Sequence, residues 1–514
     1  MGIDRRRLML RLAITLGVIA LAIFVAPEAR AAPALATLGA VLCFIFLFPK
    51  IAGVPSHVWG PLLGAAASLF LARGTLGGRL GVPKLEWSAV YGELVSHASV
   101  PVLILSFAYL SISLDDSGFF NWCSLKLLRA GRGSGTRLIV SLFLGVSLIT
   151  LFTSNDIVVL TMTPILIYLG NNAKIRNLVP LLMTQFIAAN TASMGLYVGN
   201  PTNIVIGNAV GMGFLEYARR MFVPTLVATG VSLALVLLLF SLGKTNRMPE
   251  RYDLESAPGG ARWNSHMTLK VALFGGCLLL LSVFGNPWSL SRFVEDPRAV
   301  QGAVSKLIVA VSAACCVVAM IFDLVRDRIR REETPALVGR LRRLPLEIVP
   351  FFLSFCLVLR SLEDAGLTRH AVESVLAAFR HGPVVGSLAT GAYAVLAVNV
   401  TNNIPATILF EKAWLGNASA LPPIAGLAES LPRLDAKYGD IFIDGVLYAS
   451  NFGANLTFIG ALAGLMWLKL IQDHARRAPQ VQRVPTARDF LIYGSIIVPI
   501  VTLATCLAIA WLRM

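Results

Sequence analysis

The sequence predicts an all-α polytopic membrane protein. Its 514 residues are 56% hydrophobic and 14% charged, and the mean hydropathy is +0.73, which lies outside the usual balance of a soluble domain. Hydrophobic runs of about 17 to 25 residues recur from Leu8 to Leu512, and a helix of that length crosses a hydrocarbon core of roughly 30 Å. The pattern contains no series of short alternating strands. We therefore expect the chain to cross the membrane repeatedly as helices.

About eleven transmembrane helices and two re-entrant hairpins account for these runs. The spans are expected near residues 8–26, 34–50, 57–73, 96–114, 178–211, 219–242, 267–285, 303–323, 345–362, 439–468 and 489–512. The hairpins, near 138–170 and 383–415, are each interrupted by a polar motif. The N-terminal Arg5-Arg6-Arg7 and the apolar run after it resemble a secretory signal peptide, but the run is long, so we interpret it as a retained first span.

The distribution of basic residues predicts the orientation. The chain has a net charge of +16. Its basic residues lie between the spans and not along one soluble face, which argues against a nucleic-acid partner. With the N-terminus in the cytoplasm, the inside segments 243–266 and 324–344 are rich in Lys and Arg, whereas the outside segments 286–302 and 416–438 are poorer. We expect a multi-pass plasma (inner) membrane protein with its N-terminus in the cytoplasm.

Polar clusters recur in the same order in both halves of the chain. The matching positions are Asn155 and Asn402 in the hairpin tips, Asn190 and Asn451, and Gly199 and Gly460. The tips are 247 residues apart (402 − 155), and the other two pairs are 261 apart (451 − 190 and 460 − 199). Because the charge pattern puts one hairpin on each side of the membrane, the repeats are expected to be inverted, as in many transporters.

This repeat predicts four parts. Residues 1–95 form N-terminal scaffold spans, and 96–242 form the first repeat with the cytoplasmic-side hairpin 138–170. Residues 243–344 form cytoplasmic loops and linking spans, and 345–512 form the second, inverted repeat with the outer-side hairpin 383–415.

The interruptions of the apolar runs are the predicted binding site. Unpaired backbone groups are not tolerated facing lipid, so a break at membrane depth must face protein or a water-filled cavity. Free helix N-termini favour anions or oxygen-rich solutes, and Asn amides both donate and accept hydrogen bonds. Pro164, Pro201 and Pro405 are expected in the first turns of helices that follow breaks. The predicted substrate-binding residues are Ser154, Asn155, Asn190, Thr191, Gly199, Asn200, Thr202, Asn203, Thr401, Asn402, Asn403, Asn451, Asn455 and Thr457.

Two carboxylates within the apolar runs, Asp156 and Asp444, are candidates for ion or proton coupling, because an ionisable group at membrane depth is expensive. The alternatives are that Asp156 caps the helix that follows and that Asp444 faces the outer interface. No cofactor, metal or catalytic residue is predicted. The seven cysteines show no CxxC spacing, and the Asp115-Asp116 pair lacks the DDxxD pattern of membrane prenyltransferases, so an enzyme is not expected.

Several motifs resemble the arsenite permease (arsenical pump membrane protein) family of the ion transporter superfamily, which also holds sodium/proton antiporters and divalent-anion or citrate carriers. The matching stretches are SLDDSGFFNW at 113–122, SND at 154–156, LTMTPI at 160–165, NTAS at 190–193, FLEYA at 214–218, NNIPA at 402–406 and GALAGLMWL at 460–468. The resemblance runs from about residue 34 to the C-terminus. It implies a homodimer with a scaffold and a transport part, proton-linked efflux of arsenite or antimonite, and sometimes an arsenite-translocating ATPase partner.

Three functions stay open at this point. Metalloid efflux suits a site of amides and hydroxyls, because arsenite is largely an uncharged trihydroxide near neutral pH. Sodium/proton exchange would use Asp156 as the carrier. Transport of a citrate-like or inorganic anion would use the helix N-termini, and the GNPTN segment at 199–203 looks closer to the anion carriers than to the permeases.

Overall fold

The computed structural model describes residues 5–26, 31–48, 50–51, 54–73, 78–79, 86–242, 246–253, 262–290, 297–330, 336–418, 436–477 and 483–514. Within these ranges, eight helices are long and apolar enough to span a membrane, and three further apolar helices are shorter. The predicted all-α polytopic membrane class is therefore confirmed. Parts of the predicted loops 243–266, 286–302, 324–344 and 416–438 lie outside the described residues.

The described part of the chain consists mainly of helices. In chain order they are α1 (Arg5–Phe24), α2 (Ala32–Leu47), α3 (Ser56–Arg73), α4 (Trp87–His97), α5 (Ser99–Asp116), α6 (Phe119–Ala130), α7 (Gly135–Phe152), α8 (Asn155–Asn172), α9 (Val179–Ala192), α10 (Pro201–Ala209), α11 (Phe214–Leu237), α12 (Ser265–Phe284), α13 (Pro287–Leu290), α14 (Pro297–Arg330), α15 (Ala336–Arg343), α16 (Ile348–Asp364), α17 (Leu367–Ala378), α18 (Pro383–Thr401), α19 (Asn403–Ala418), α20 (Ala436–Phe452), α21 (Leu462–Arg477) and α22 (Ala487–Arg513). Two two-residue strands, β1 (Lys50–Ile51) and β2 (Val54–Pro55), pair in antiparallel fashion before α3.

The chain divides into two compact units. The smaller unit contains Met1–Pro101, Pro345–Ser374 and Ile408–Ser430, and the larger contains Val102–Leu344, Val375–Thr407 and Leu431–Met514. In the smaller unit, α3 packs against α2 and α16, and α4 also packs on α16. A Cβ at Gly64 of α3 would lie 2.3 Å from Val41 Cγ2, so this glycine allows the close helix approach on which membrane packing depends.

In the larger unit, helix α9 is the central element. All of its residues are buried, and it contacts α7, α8, α11 and α20. Helices α18, α20 and α22 pack against one another, and α20 also contacts α9. Between α18 and α22, the Ser387 hydroxyl donates to the Cys506 carbonyl at 2.8 Å. Because apolar surfaces attract each other little within lipid, such hydrogen bonds and close contacts hold the helices together.

Two stretches that the sequence predicts as single spans are broken. Helix α9 ends at Ala192, two 3₁₀ turns (Ser193–Gly195 and Tyr197–Gly199) follow, and α10 begins at Pro201. In the second half, α20 ends at Phe452, one 3₁₀ turn (Gly453–Asn455) follows, and α21 begins at Leu462. The breaks occur at the polar motifs, as predicted.

The residues at which α8 and α19 begin change the alignment of the two hairpin tips that the sequence predicts. Asn155 and Asn403 are the first residues of α8 and α19, so Asn155 corresponds to Asn403 at an offset of 248 and not to Asn402. Asn402 precedes α19 with φ of 82°, in the left-handed region that asparagine tolerates better than most residues. The sequence shows two adjacent asparagines, and only the backbone distinguishes them.

The same offset relates two helices that the sequence analysis leaves as loops. Adding 248 carries Phe119–Ala130 onto Leu367–Ala378, which are α6 and α17. Each precedes a hairpin, α7–α8 or α18–α19. Among the prolines, Pro201 and Pro405 lie in first turns as predicted, whereas Pro164 lies inside α8.

Candidate transport site

Five asparagines of the larger unit form one buried network, which we call the amide cluster: Asn155, Asn190, Asn203, Asn451 and Asn455. Each side chain is at most 1% exposed. Asn155 Nδ2, at the first hairpin tip, donates to Asn190 Oδ1 on α9 at 2.9 Å. Asn190 Nδ2 donates in turn to Asn455 Oδ1 at 3.2 Å. This chain of amides connects the tip of the first half to the 3₁₀ turn of the second half.

A second set of hydrogen bonds joins an asparagine of the second half to the broken segment of the first half. Asn451 Nδ2 donates to Asn203 Oδ1 at 2.7 Å, and the Ser193 hydroxyl donates to Asn451 Oδ1 at 2.9 Å. Asn190 therefore contacts the 3₁₀ turn of the second half, and Asn451 contacts that of the first half. This reciprocal arrangement is what two related halves produce when their broken helices meet.

Two glycines permit the turns to close. A Cβ at Gly199 would lie 2.2 Å from the Ser193 carbonyl oxygen, and a Cβ at Gly460 would lie 2.8 Å from Ala454 Cα. The contacted residues obey the same spacing as the glycines, since 454 − 193 and 460 − 199 both equal 261. At Gly199, predicted as a binding residue, the structure thus shows close backbone packing.

The second hairpin tip is held by the backbone of the broken segment. Asn402 Nδ2 donates to the Ile459 carbonyl at 3.0 Å, and the Asn403 N–H donates to the Gly460 carbonyl at 2.9 Å. Asn399, which sequence reasoning missed, donates to the Gly453 carbonyl at 2.8 Å and accepts from the Thr457 hydroxyl at 2.7 Å. Its signal was available in the motif NVTNN, because a polar residue at 399 follows an otherwise apolar run.

Other predicted residues lie nearby in local roles. Asn200 caps α10 by accepting from the Thr202 N–H at 3.2 Å, and the Thr191 hydroxyl donates to the Ile187 carbonyl at 2.6 Å. Thr401 donates to the Ala397 carbonyl at 2.9 Å within α18. Ser154 is half-buried and precedes α8 without a capping hydrogen bond from its side chain.

The site contains polar atoms with no hydrogen-bond partner among the described residues. In the amide cluster these atoms are the acceptor Asn155 Oδ1 and the donor Asn455 Nδ2, and beside it they are Asn200 Nδ2 and Thr202 Oγ1. Leaving such a group unsatisfied costs about 1–3 kcal/mol. A polar solute or water that both donates and accepts would recover part of this cost.

The amide cluster is electrically neutral. Every hydrogen bond of the five asparagine side chains goes to another amide, a serine or a backbone carbonyl, and none goes to a Lys or Arg of the described chain. A bare anion in this cluster would therefore lack a paired cation, which makes burial of its charge expensive.

The two candidate carboxylates occupy different environments. Asp156 lies in the first turn of α8, half-buried, and no ion pair involves it among the described residues. Asp444 is only 1% exposed, so protein atoms enclose its carboxylate. One of its oxygens pairs with Arg220 of α11, and the other lies 2.9 Å from Arg513 Nη2 of α22. Sequence reasoning missed Arg220, which reaches inward from an apolar span.

The fold and this buried polar site are those of a polytopic membrane transporter in which two helices are broken at the site. The sequence model of the citrate transporter family (CitMHS) matches residues 19–429, and the chain belongs to this family within the ion transporter superfamily.

Relatives of this chain are described as pumps and transporters. The chain is 30% identical to the arsenical pump membrane protein of Escherichia coli, over 81% of this chain and 86% of the relative. It is 27% identical to that of Yersinia enterocolitica, over 81% and 88%. It is also 22% identical to an uncharacterized transporter of Synechocystis, over 83% and 87%. The resemblance stated from the motifs is confirmed.

Proposed function

We propose that this protein exports arsenite and antimonite across the plasma membrane in exchange for protons, with the amide cluster as the substrate site. The observation that carries the proposal is the neutral, buried network of Asn155, Asn190 and Asn455, with one free acceptor and one free donor. An uncharged trihydroxide supplies hydroxyl groups that donate and oxygens that accept, so it satisfies both. The names of the bacterial arsenical pump relatives support the same substrate class.

The transport cycle follows from the repeat. In the structure the amides of the two halves bond directly to each other, so a solute enters only when these bonds open. We propose that the hairpin α7–α8 opens toward the cytoplasm and α18–α19 toward the outside, and that the solute replaces the bond between Asn190 and Asn455. The cytoplasmic N-terminus, a homodimer and an arsenite-translocating ATPase partner belong to the same proposal, and the family resemblance supports them.

The proposal is tested in an arsenite-sensitive bacterial host and in everted membrane vesicles. Expression of the wild-type chain should raise tolerance to arsenite and antimonite, and vesicles energised with a proton gradient should accumulate arsenite. An Asn190→Ala variant present at equal level should do neither. If the wild-type chain changes neither tolerance nor vesicle accumulation, the substrate assignment is wrong.

A citrate-like anion is the second candidate, because the family description and the α10 N-terminus favour it. Helix α10 begins with Asn200-Pro201-Thr202, and the Thr202 hydroxyl is buried without a partner. Such an N-terminus favours a carboxylate. Citrate uptake by the same vesicles, lost in Thr202→Val, would favour this candidate over metalloid efflux.

A further inference from the structure

A group of buried and half-buried ionisable side chains lies in the smaller unit, and none of its members belongs to the amide cluster. It consists of Glu93 and His97 on α4, Cys356, Arg360, Glu363 and Asp364 on α16, and Glu411 and Lys412 on α19. Glu93, Glu411 and Lys412 are 8%, 6% and 5% exposed. Ionisable groups inside apolar spans are expensive enough to require either full pairing or a function.

The cations of this group pair with carboxylates other than Glu411. Lys412 Nζ lies 2.5 Å from Glu93 Oε1 and 3.3 Å from Glu363 Oε2. Arg360 lies 2.9 Å from Asp364 and 3.8 Å from Glu93. Four carboxylates thus face two fixed cations, an excess of two negative charges (4 − 2) while His97 is neutral. Within the part of the chain that the structure describes, Glu411 is the carboxylate of this group that forms no ion pair with a Lys or an Arg.

The geometry of His97 favours a proton between its Nε2 atom and Glu411. His97 Nδ1 lies 2.9 Å from the Glu93 backbone oxygen, which is only an acceptor, so Nδ1 carries a hydrogen and donates it. Ser96 Oγ, 3.0 Å from Nδ1, donates to the same backbone oxygen and therefore accepts from Nδ1. The other ring nitrogen, Nε2, faces Glu411 Oε1 at 3.4 Å. Without a proton between them, two lone pairs would oppose each other.

The second oxygen of Glu411 points to the same conclusion. Glu411 Oε2 is buried and has no hydrogen-bond partner among the described residues. An ionised carboxylate with one oxygen unsatisfied and no cation is costly inside a protein, whereas binding one proton removes its charge. The donor atoms of Glu93, His97 and Cys356 lie within 4.8 Å of one another, but the Lys412 ammonium already occupies the position beside Glu93, so we assign no metal here.

We propose that His97 and Glu411 share one exchangeable proton, and that this pair in the smaller unit holds the proton that drives transport. The second half of this inference rests on the proposed proton-coupled function, and the first half does not. During the cycle the proton enters between Nε2 and Oε1 and leaves again, while Lys412 keeps Glu93 and Glu363 paired.

The first test follows the proton itself in full-length protein in nanodiscs. Infrared difference spectra across a pH titration should show the carbonyl stretch of a protonated carboxylic acid, and this band should vanish in Glu411→Gln and shift in His97→Gln. Glu86→Gln, which removes an exposed carboxylate before α4, should keep it. A band that persists in Glu411→Gln overturns the proposal, and so does a titration that moves with added sodium or zinc.

The second test separates proton coupling from substrate movement, with arsenite as the probe in proteoliposomes. Wild-type flux driven by a pH gradient should change about tenfold per pH unit on the limb where one proton binds. In Glu411→Gln this dependence should disappear, while arsenite/arsenite exchange persists. If gradient-driven flux is unchanged in the variant, the coupling role is wrong. If the wild-type chain moves no arsenite but the infrared band still depends on Glu411, the proposed function fails and the proton site stands.

Discussion

Asn190 Nδ2 donates to Asn455 Oδ1 across the two halves of the chain, at 3.2 Å and at a sequence separation of 265. This bond joins the broken helix of one repeat to the 3₁₀ turn of the other. Whatever passes through the amide cluster has to separate these two side chains.

Asn190→Ala should abolish transport with a limited loss of stability. The change removes the bonds to Asn155 and Asn455 and leaves one polar atom of each amide unpaired. We therefore expect at least about a tenfold loss of arsenite flux and a stability cost of about 1–3 kcal/mol for each of the two atoms. Vesicle flux and thermal unfolding in detergent measure the two effects. The matched control is Asn172→Ala, because Asn172 donates to the Tyr168 carbonyl within its own helix, at an exposed end of α8. Equal flux in both variants would contradict a substrate role for Asn190.

Gly199→Ala should destabilise the broken helix. A Cβ at this position would lie 2.2 Å from a backbone oxygen that belongs to the adjacent turn, so the turn cannot yield cheaply. We expect a cost of about 1–3 kcal/mol from overpacking, together with lost activity, both followed by thermal unfolding and flux. Gly230→Ala in α11 is the control, because its Cβ would meet no atom within 4 Å. A Gly199→Ala protein as stable as this control would refute the packing role.

Asp156→Asn distinguishes cation exchange from metalloid efflux. The carboxylate is half-buried beside the first tip and has no ion pair among the described residues, so its replacement by an amide removes charge without stranding a partner. If the protein exchanges sodium for protons through this residue, pH-dependent sodium flux should vanish in the variant. If it exports metalloids through the amide cluster, arsenite tolerance should not depend on sodium in either protein. Tolerance assays at two sodium concentrations check both outcomes.

Asp444→Asn should act mainly on stability. The carboxylate is shared by Arg220 and Arg513, and removing one partner of a buried ion pair costs about 3–5 kcal/mol where the other charge is stranded. Arg220 keeps the Asp440 carboxylate at 2.8 Å and Arg513 is 27% exposed, so we expect a cost at the lower end of this range. Thermal unfolding should therefore show a large drop, whereas Lys174→Ala, which breaks an exposed pair with Asp253, should show little. A stable Asp444→Asn protein with altered pH dependence of transport would instead support the coupling role predicted from sequence.

The sequence was sufficient to predict the fold class, the hairpin tips and the helix breaks. Apolar runs of spanning length predicted the class, because lipid imposes the same length and composition on every spanning helix. The recurrence of asparagine, glycine and proline in the same order in both halves located both tips and both breaks, since such residues interrupt apolar spans for few reasons.

Tertiary structure decided the pairings. Asn403, and not Asn402, corresponds to Asn155, because the start of α19 depends on a backbone angle that the letters do not encode. Three polar side chains have hydrogen-bond partners that lie 54 to 258 positions away in sequence: Asn399, Ser193 and Arg220. His97 and Glu411 are 314 positions apart (411 − 97). Periodicity and composition describe neighbours along the chain, whereas a buried polar group is defined by the atoms that satisfy it, and only folding brings those atoms together.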